Sequence, residues 1–192
     1  ELERLMAKIE VNIKGLFNGL NIESVQLHNI PKGTVIKQPA LTGTTVAATD
    51  AAKYILTPLN PYKTDGNTYT FYIPENIRGE AVAVDTPHNK TFDKAPFFST
   101  YIRIDVTYPN TSMEQTQITY EIYPGDNNTN NFNLKRNTLY KLEFDLQGTN
   151  DEDKRVVNYD GIINLNKEGF ANSYIVLKTN QKYIFDPRIP GH

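Results

Sequence analysis

The sequence predicts an all-β fold, an antiparallel two-sheet β-sandwich of about seven strands. Several segments alternate apolar and polar residues with the period of two that a half-buried strand requires. No long helix-period segment is present that could cover a sheet face, so the strands need a second sheet packed on the first. The 192 residues include 12 Tyr and 9 Phe against 2 Met, a composition that favours strands and turns over helices.

Two strands are predicted near the amino terminus. The first is long, because the alternation from Leu5 to Ile13 is unbroken. The second runs from Ile22 to His28 with Val25 and Leu27 facing inward, and it ends at Ile30-Pro-Lys-Gly33.

The middle of the chain is mostly loop. Proline and glycine interrupt every period from Thr34 to Pro61, which leaves one helical turn at Asp50 to Tyr54. A strand follows from Thr68 to Ile73. The polar stretch from Glu80 to Pro96 is predicted to be a surface loop with a short strand at Ala81 to Val84.

Three further strands complete the predicted sandwich. Tyr101 to Tyr108 alternates cleanly, turns at Pro109 to Met113, and returns as the strand from Gln117 to Ile122. After a looser turn at Pro124 to Asn131, Leu139 to Leu146 alternates without a break and forms the last strand of the sandwich.

The predicted organisation has three parts. Residues 1–148 form the sandwich, residues 149–161 form a polar acidic connector, and residues 162–192 form a short β appendage or the start of a truncated second module. About thirty residues cannot bury a separate core, so the appendage docks on the sandwich or on another chain, or is cut short. Its predicted strands are Ile162 to Leu165, Ser173 to Leu177 and Tyr183 to Phe185.

Charge and composition exclude several classes of function. The net charge of -2 and the absence of long like-charge runs argue against a nucleic-acid partner. The chain has no cysteine, which removes disulfides, thiolate metal sites and cysteine nucleophiles. We therefore predict a non-enzymatic protein with no catalytic residue and no cofactor.

Two polar features invite a chemical interpretation that their spacing does not support. His28, His88 and His192 have no neighbouring carboxylate, serine or histidine at a spacing that suggests a site, so we predict structural or incidental roles. Asp126 with its Asn-rich neighbours, and Asp151 to Asp153, are oxygen-rich but lack the spacing of a known calcium loop. We predict solvated turns there and no metal site.

Four segments together resemble the fimbrillin-like surface proteins of Bacteroides-type bacteria. They are the amino-terminal Arg4-Leu-Met-Ala-Lys-Ile-Glu-Val11, Phe71-Tyr-Ile-Pro-Glu-Asn-Ile-Arg-Gly79, Lys135-Arg-Asn-Thr-Leu-Tyr140 and Ala171-Asn-Ser-Tyr-Ile-Val176. The resemblance rests on their order and distances along nearly the whole chain.

The resemblance implies a transthyretin-like (type V pilin-like) sandwich, export as an outer-membrane lipoprotein precursor, and a role as a pilus subunit, anchor or tip. It also implies assembly with other pilin-like subunits, in which removal of an amino-terminal segment opens a groove that a strand from the next subunit fills. The sequence has no lipobox cysteine and no export signal. Membrane attachment is thus expected only through a lipid anchor encoded upstream of Glu1.

Two predicted strands have the length and alternation that strand exchange needs. Their residues that would enter a partner's core are Leu5, Ala7, Ile9, Val11 and Ile13 in the first, and Tyr174 and Val176 in the second. The alternative is that both are ordinary strands of this chain's own sheets. A further hypothesis is that an Arg-specific protease trims the chain after Arg4.

The alternative function is a surface adhesin of the same fold that does not polymerise. It would recognise a host glycan or a host protein through loops such as Thr34 to Pro61 or Glu80 to Pro96. Tyr62, Tyr72 and Tyr101 would build a sugar-binding platform, since aromatic faces stack on sugar rings. The competing interpretation is that these tyrosines pair across strands on a sheet face.

Overall fold

The computed structural model describes residues 4–14, 20–33, 48–82, 86–109, 115–146, 156–157 and 175–184. The regular secondary structure of these residues is almost entirely β-strand, with two short 3-10 helices at Ala48–Lys53 and Pro87–Asn89. The strands are β1 (Met6–Lys14), β2 (Asn21–His28), β3 (Ile30–Pro31), β4 (Tyr54–Ile55), β5 (Lys63–Asp65), β6 (Thr68–Pro74), β7 (Tyr101–Pro109), β8 (Gln115–Ile122), β9 (Thr138–Leu146), β10 (Val156–Val157) and β11 (Ile175–Ile184).

The strands form two main sheets. A five-stranded sheet has the order β11-β9-β1-β6-β5, a four-stranded sheet has the order β10-β8-β7-β2, and β3 pairs with β4 in a small third sheet. Neighbouring strands within these sheets pair antiparallel, except that β1 and β9 run parallel. The predicted antiparallel arrangement is therefore wrong for this one pair, because alternation reports which face is buried and carries no information on strand direction.

One core lies between the two main sheets. Alternating residues of β1, β2, β6, β7, β8 and β9 point into it, so that a single cluster of buried side chains draws on both sheets. The all-β, two-sheet prediction is confirmed. The fully buried contributors include Ile9, Val11, Phe71, Ile73, Tyr140 and Phe144 from the five-stranded sheet and Leu27, Ile102, Ile104, Val106, Ile118 and Tyr120 from the four-stranded sheet.

The carboxy-terminal prediction needs one correction. Where two short strands were predicted, the structure has the single ten-residue strand β11, with a register shift between Leu177 and Thr179. It pairs with β9 at the edge of the five-stranded sheet. The predicted strand at residues 162–165 and residues 83–84 of the predicted strand at 81–84 lie outside the described residues, and the predicted domain boundaries stay predictions. In the part of the chain that the structure describes, no helix has the length and apolar character to cross a membrane.

Candidate functional site

Strand β1 occupies the centre of the five-stranded sheet. It pairs antiparallel with β6, with Met6 opposite Pro74 and Asn12 opposite Thr68, and parallel with β9, with Lys8 opposite Leu139 and Lys14 opposite Asp145. Because β1 lies between these two strands, its departure would leave a gap one strand wide with an unpaired edge on each side. We call this gap the β1 slot.

The inward face of β1 is completely buried. Ala7, Ile9 and Val11 have 0% exposure and Ile13 has 1%. The outward residues remain in contact with solvent, and Lys14 donates to Glu143 across the neighbouring strand at 2.7 Å. The β1 slot therefore has a row of apolar positions, which is filled by a strand with an apolar side chain at every second residue.

The two strands that flank β1 join each other directly beyond its first residue. The segment after β6 and the segment before β9 form isolated bridges at Asn76 with Leu134 and at Glu80 with Asn131. Asn76 and Leu134 exchange both backbone hydrogen bonds at 2.8 Å, and the N–H of Phe132 donates to the carbonyl of Gly79 at 2.9 Å. We call these paired segments, residues 75–81 and 130–136, the fork. The fork closes the β1 slot at the end where β1 begins.

A buried ion pair locks the fork. The guanidinium Nη2 of Arg136 lies 3.0 Å from Glu75 Oε1, and the side chains of Arg136 and Glu75 are 5% and 8% exposed. The backbone N–H of Arg136 also donates to the Glu75 carboxylate at 3.2 Å. Next along the chain, Asn137 adopts a left-handed backbone conformation (φ 54°), which asparagine tolerates, and its N–H donates to the Met6 carbonyl at 3.0 Å. The corner thus fixes where β1 starts.

The Asn-rich turn before the fork is ordered by internal hydrogen bonds. The side-chain oxygen of Asn127 accepts hydrogen bonds from three backbone N–H groups, those of residues 129, 130 and 131. The buried ammonium of Lys90 donates to the Asn127 carbonyl at 2.8 Å. Tyr140 lies beneath the turn, and its hydroxyl donates to Asp126 at 3.3 Å. The turn is a supporting element of the fork.

The structure separates the predicted exchange residues. Arg4 and Leu5 are exposed and precede β1. The buried face of β1 is formed by Ala7, Ile9, Val11 and Ile13. Tyr174 lies outside the described residues. Val176 lies in β11, opposite Asp145 of β9. Whether either strand is exchanged stays a prediction.

Of the histidines and the two oxygen-rich segments, the structure describes the side chain of His28 and the turn that contains Asp126. His28 stacks on Tyr101 with 4.7 Å between ring centroids, and burial, aided by the charge of Arg103, lowers its pKa. The side chain of His88 is not described, and His192 and Asp151 to Asp153 lie outside the described residues. Among the residues that the structure describes, there is no group of three or more His, Cys, Asp or Glu side chains that could hold a metal ion.

The three tyrosines proposed as a glycan platform do not share one surface. Tyr62 and Tyr72 form an edge-to-face pair with ring centroids 5.4 Å apart on the five-stranded sheet. Tyr101 begins β7 in the other sheet and contacts His28. The Tyr62–Tyr72 contact is the cross-pairing that the competing interpretation predicts.

The fork and its ion pair are the features that the sequence did not reveal. Glu75 and Arg136 lie in segments without periodicity, and 61 residues separate them. The only available signal was their position beside strand ends, in two of the four segments that carry the family resemblance.

Comparisons with known proteins agree with that resemblance. Residues 71–144 match a family described as a domain of unknown function (DUF4906), a family associated with fimbrillins. The matched stretch begins within β6 and ends within β9, so it contains the whole fork. The predicted fimbrillin-like character is confirmed for this part of the chain.

Among solved structures, the chain is similar to the tip fimbrial protein Mfa3 from Porphyromonas gingivalis with a C-terminal truncation. The sequence identity is 14% and the TM-score is 0.42, over 82% of this chain and 51% of that one. The chain thus spans about half the length of that structure. No curated protein sequence matches the chain.

Proposed function

We propose that the chain is a non-enzymatic fimbrial subunit of the bacterial cell surface that assembles with related subunits by strand exchange at the β1 slot. The fimbrillin-associated family match over residues 71–144 supports the general class. A transthyretin-like fold, attachment to the outer membrane through a lipid anchor, and a position as stalk, anchor or tip are finer parts of the same proposal.

The observation that carries the proposal is that the fork lies at one end of the β1 slot and joins the two strands on either side of it. The fork joins β6 to β9 without any residue of β1, so the walls of the slot remain connected when β1 is absent. The four inward positions of β1 supply about 5 to 12 kcal/mol of apolar burial before ordering costs, which is enough for a long-lived joint between subunits.

An exchangeable β1 can be tested by cutting the connection between β1 and β2. A protease site placed within residues 15–19 would free β1 from the rest of the chain without altering either strand. A labelled synthetic peptide with the sequence of residues 5–14 should then replace the cut strand, and native gel fluorescence would follow its incorporation. Failure of the peptide to enter the intact, cut protein after prolonged incubation would contradict the proposal.

A matched pair of peptides tests whether the slot selects by face. Val11→Asp places a carboxylate in a fully buried position and should abolish incorporation, because burying an unpaired charge is costly. Asn12→Asp changes the adjacent outward residue and should be incorporated normally. Equal incorporation of the two peptides would mean that binding does not occur in the slot.

Polymerisation on cells provides the second test. Material from the cell surface should migrate as a ladder without boiling and collapse to monomer after boiling, because strand exchange is non-covalent but slow to reverse. A single monomer band under both conditions would favour a non-polymerising adhesin.

A further inference from the structure

Two arginines are deeply buried at the fork, and only one of them has a carboxylate. Arg136 pairs with Glu75 as described above. Arg78 is 5% exposed, and its guanidinium makes one hydrogen bond, from Nη1 to the hydroxyl of Tyr54 at 2.6 Å. No Asp or Glu among the described residues lies within ion-pair distance of Arg78. A buried guanidinium without a neighbouring carboxylate is costly in free energy.

The unsatisfied atoms of Arg78 lie on one edge of its guanidinium. Nε and Nη2 are both buried and have no hydrogen-bond partner. These two nitrogens carry the parallel N–H groups that bind a carboxylate through two hydrogen bonds. This edge of the Arg78 guanidinium therefore has the geometry that binds a carboxylate.

The polar groups around Arg78 are hydrogen-bonded to one another. The Tyr54 hydroxyl donates to the side-chain oxygen of Asn76 at 3.1 Å. The amide nitrogen of Asn76 donates to Thr100 Oγ1 and to the carbonyl of Phe98, both at 2.9 Å. Tyr54 also stacks on Phe98 with ring centroids 4.7 Å apart. This network holds the guanidinium in place, and Nε and Nη2 take no part in it.

We propose that Arg78 is the anchor of a carboxylate-binding site that receives an acidic side chain of a partner protein. Exposed apolar residues lie close by in the chain and offer contact area to such a partner. Leu56, two residues after Tyr54, is 61% exposed, and Val82, four residues after Arg78, is 92% exposed. An acidic side chain flanked by apolar residues matches both features.

Access to the site requires a local opening, because both nitrogens are covered in this state. The small sheet of β3 and β4 contains two residues in each strand, and Tyr54 begins β4. An element with so few backbone hydrogen bonds opens at low cost. Binding of a carboxylate would then replace an unpaired buried charge with a hydrogen-bonded ion pair. The site does not depend on strand exchange at the β1 slot.

The test uses the whole chain and two probes at matched ionic strength. They are sodium acetate and the peptide acetyl-Leu-Glu-Val-amide, with acetyl-Leu-Gln-Val-amide as the neutral control. The Nε–H resonance of Arg78, assigned through bonds from the backbone amide of Arg78 in the wild-type protein, should shift saturably with acetate and with the acidic peptide. Near-saturating ligand should also raise the midpoint of thermal unfolding by about 3 °C or more. Arg103→Lys is the control variant, because Arg103 already pairs with Asp105 at 3.1 Å; it should respond like the wild type, whereas Arg78→Lys should not.

The two probes separate the sources of the carboxylate. Peptide binding at least tenfold tighter than acetate would support an acidic side chain on a partner, since only the peptide has apolar side chains beside its carboxylate. Equal affinity would overturn the partner assignment and leave a site for small carboxylates. An Nε–H resonance of wild-type protein that is unchanged by both probes would overturn the site itself, even if Arg78→Lys fails to fold.

Discussion

At the scale of single residues, the fork end of the molecule differs from the end of an ordinary β-sandwich because it contains buried side chains of charged residues. Lys90 is 2% exposed, donates to the Asn127 carbonyl, and lies 5.0 Å from the centre of the Phe132 ring. Burial lowers the pKa of Lys90 to about 7, and the nearby Asp126 carboxylate opposes the shift only in part. Lys90 is therefore a group whose burial makes the stability of the fold depend on pH.

The Lys90 prediction concerns the slope of stability with pH. Because the folded pKa lies below the unfolded value of 10.5, the unfolded chain binds more protons than the folded chain between these values. The free energy of unfolding should thus rise by about 2 kcal/mol from pH 7 to pH 9 through this group. Lys90→Met should remove that rise, as measured by urea unfolding at each pH. The exposed Lys94→Met is the control and should keep it; a slope that Lys90→Met leaves unchanged would show that Lys90 is not responsible.

At the scale of elements, β6 and β9 are connected in two ways, through β1 and through the fork. β1 contributes two ladders of backbone hydrogen bonds, one to β6 and one to β9. The fork connects the same two strands independently of β1, through the Asn76–Leu134 bridge and the Glu75–Arg136 pair. Strand β11, by contrast, pairs with β9 alone among the described strands, so its release would break one of these ladders while release of β1 would break two.

Substituting one partner of the Glu75–Arg136 ion pair should destabilise the fold strongly, and substituting both should restore most of the stability. Glu75→Gln or Arg136→Met alone should lower the free energy of unfolding by about 3 to 5 kcal/mol, because each leaves one buried charge without the opposite charge that compensates it. The double variant Glu75→Met/Arg136→Met should recover most of that loss. The exposed pair of Lys14 and Glu143 is the comparison, and Lys14→Met should cost less than about 1 kcal/mol.

Hydrogen exchange identifies where the loss occurs. The amides of Asn76 and Leu134 should exchange faster in the single variants than in the wild type, while amides of β7 in the other sheet should be affected only through global unfolding. Faster exchange spread evenly over both sheets would contradict a local role of the pair in holding the fork.

At the scale of the whole molecule, both ends of the described chain meet at the fork end of the five-stranded sheet. Met6 accepts a hydrogen bond from Asn137, and the last residue of β11, Ile184, lies opposite the adjacent Thr138. Strands β1 and β11 also flank the same strand, β9. The two strands proposed for exchange are therefore neighbours of one strand in space, although they lie at opposite ends of the chain.

Cleavage after Arg4 should leave this architecture intact. Arg4 lies before β1, and β1 remains joined to β2 through residues 15–19. Brief digestion with an Arg-specific protease should release only the residues before Leu5, and the midpoint of urea unfolding should not change, because no strand is removed. Mass spectrometry would identify the product, and Arg4→Gln should prevent this cut. A lower midpoint of urea unfolding for the product cut after Arg4 would show that trimming at Arg4 itself loosens β1 from the slot.

The sequence by itself determined which residues face the core. Alternation with a period of two predicted the buried faces of β1, β6, β7, β8 and β9, because a side chain's burial in a strand follows directly from its position in the pleat. The same signal also predicted that the sheets are two and that no long helix covers them.

Only the tertiary structure decided which strands are neighbours and in which direction they run. The parallel pairing of β1 with β9, the fork between residues 75–81 and 130–136, and the different surroundings of Arg78 and Arg136 all depend on contacts between segments distant in the chain. A period of two records the face of each residue but not the identity of the strand beside it. Whether a buried arginine has a carboxylate beside it likewise depends on which segments lie close together in the fold. The properties of the candidate site therefore could not be predicted from the sequence.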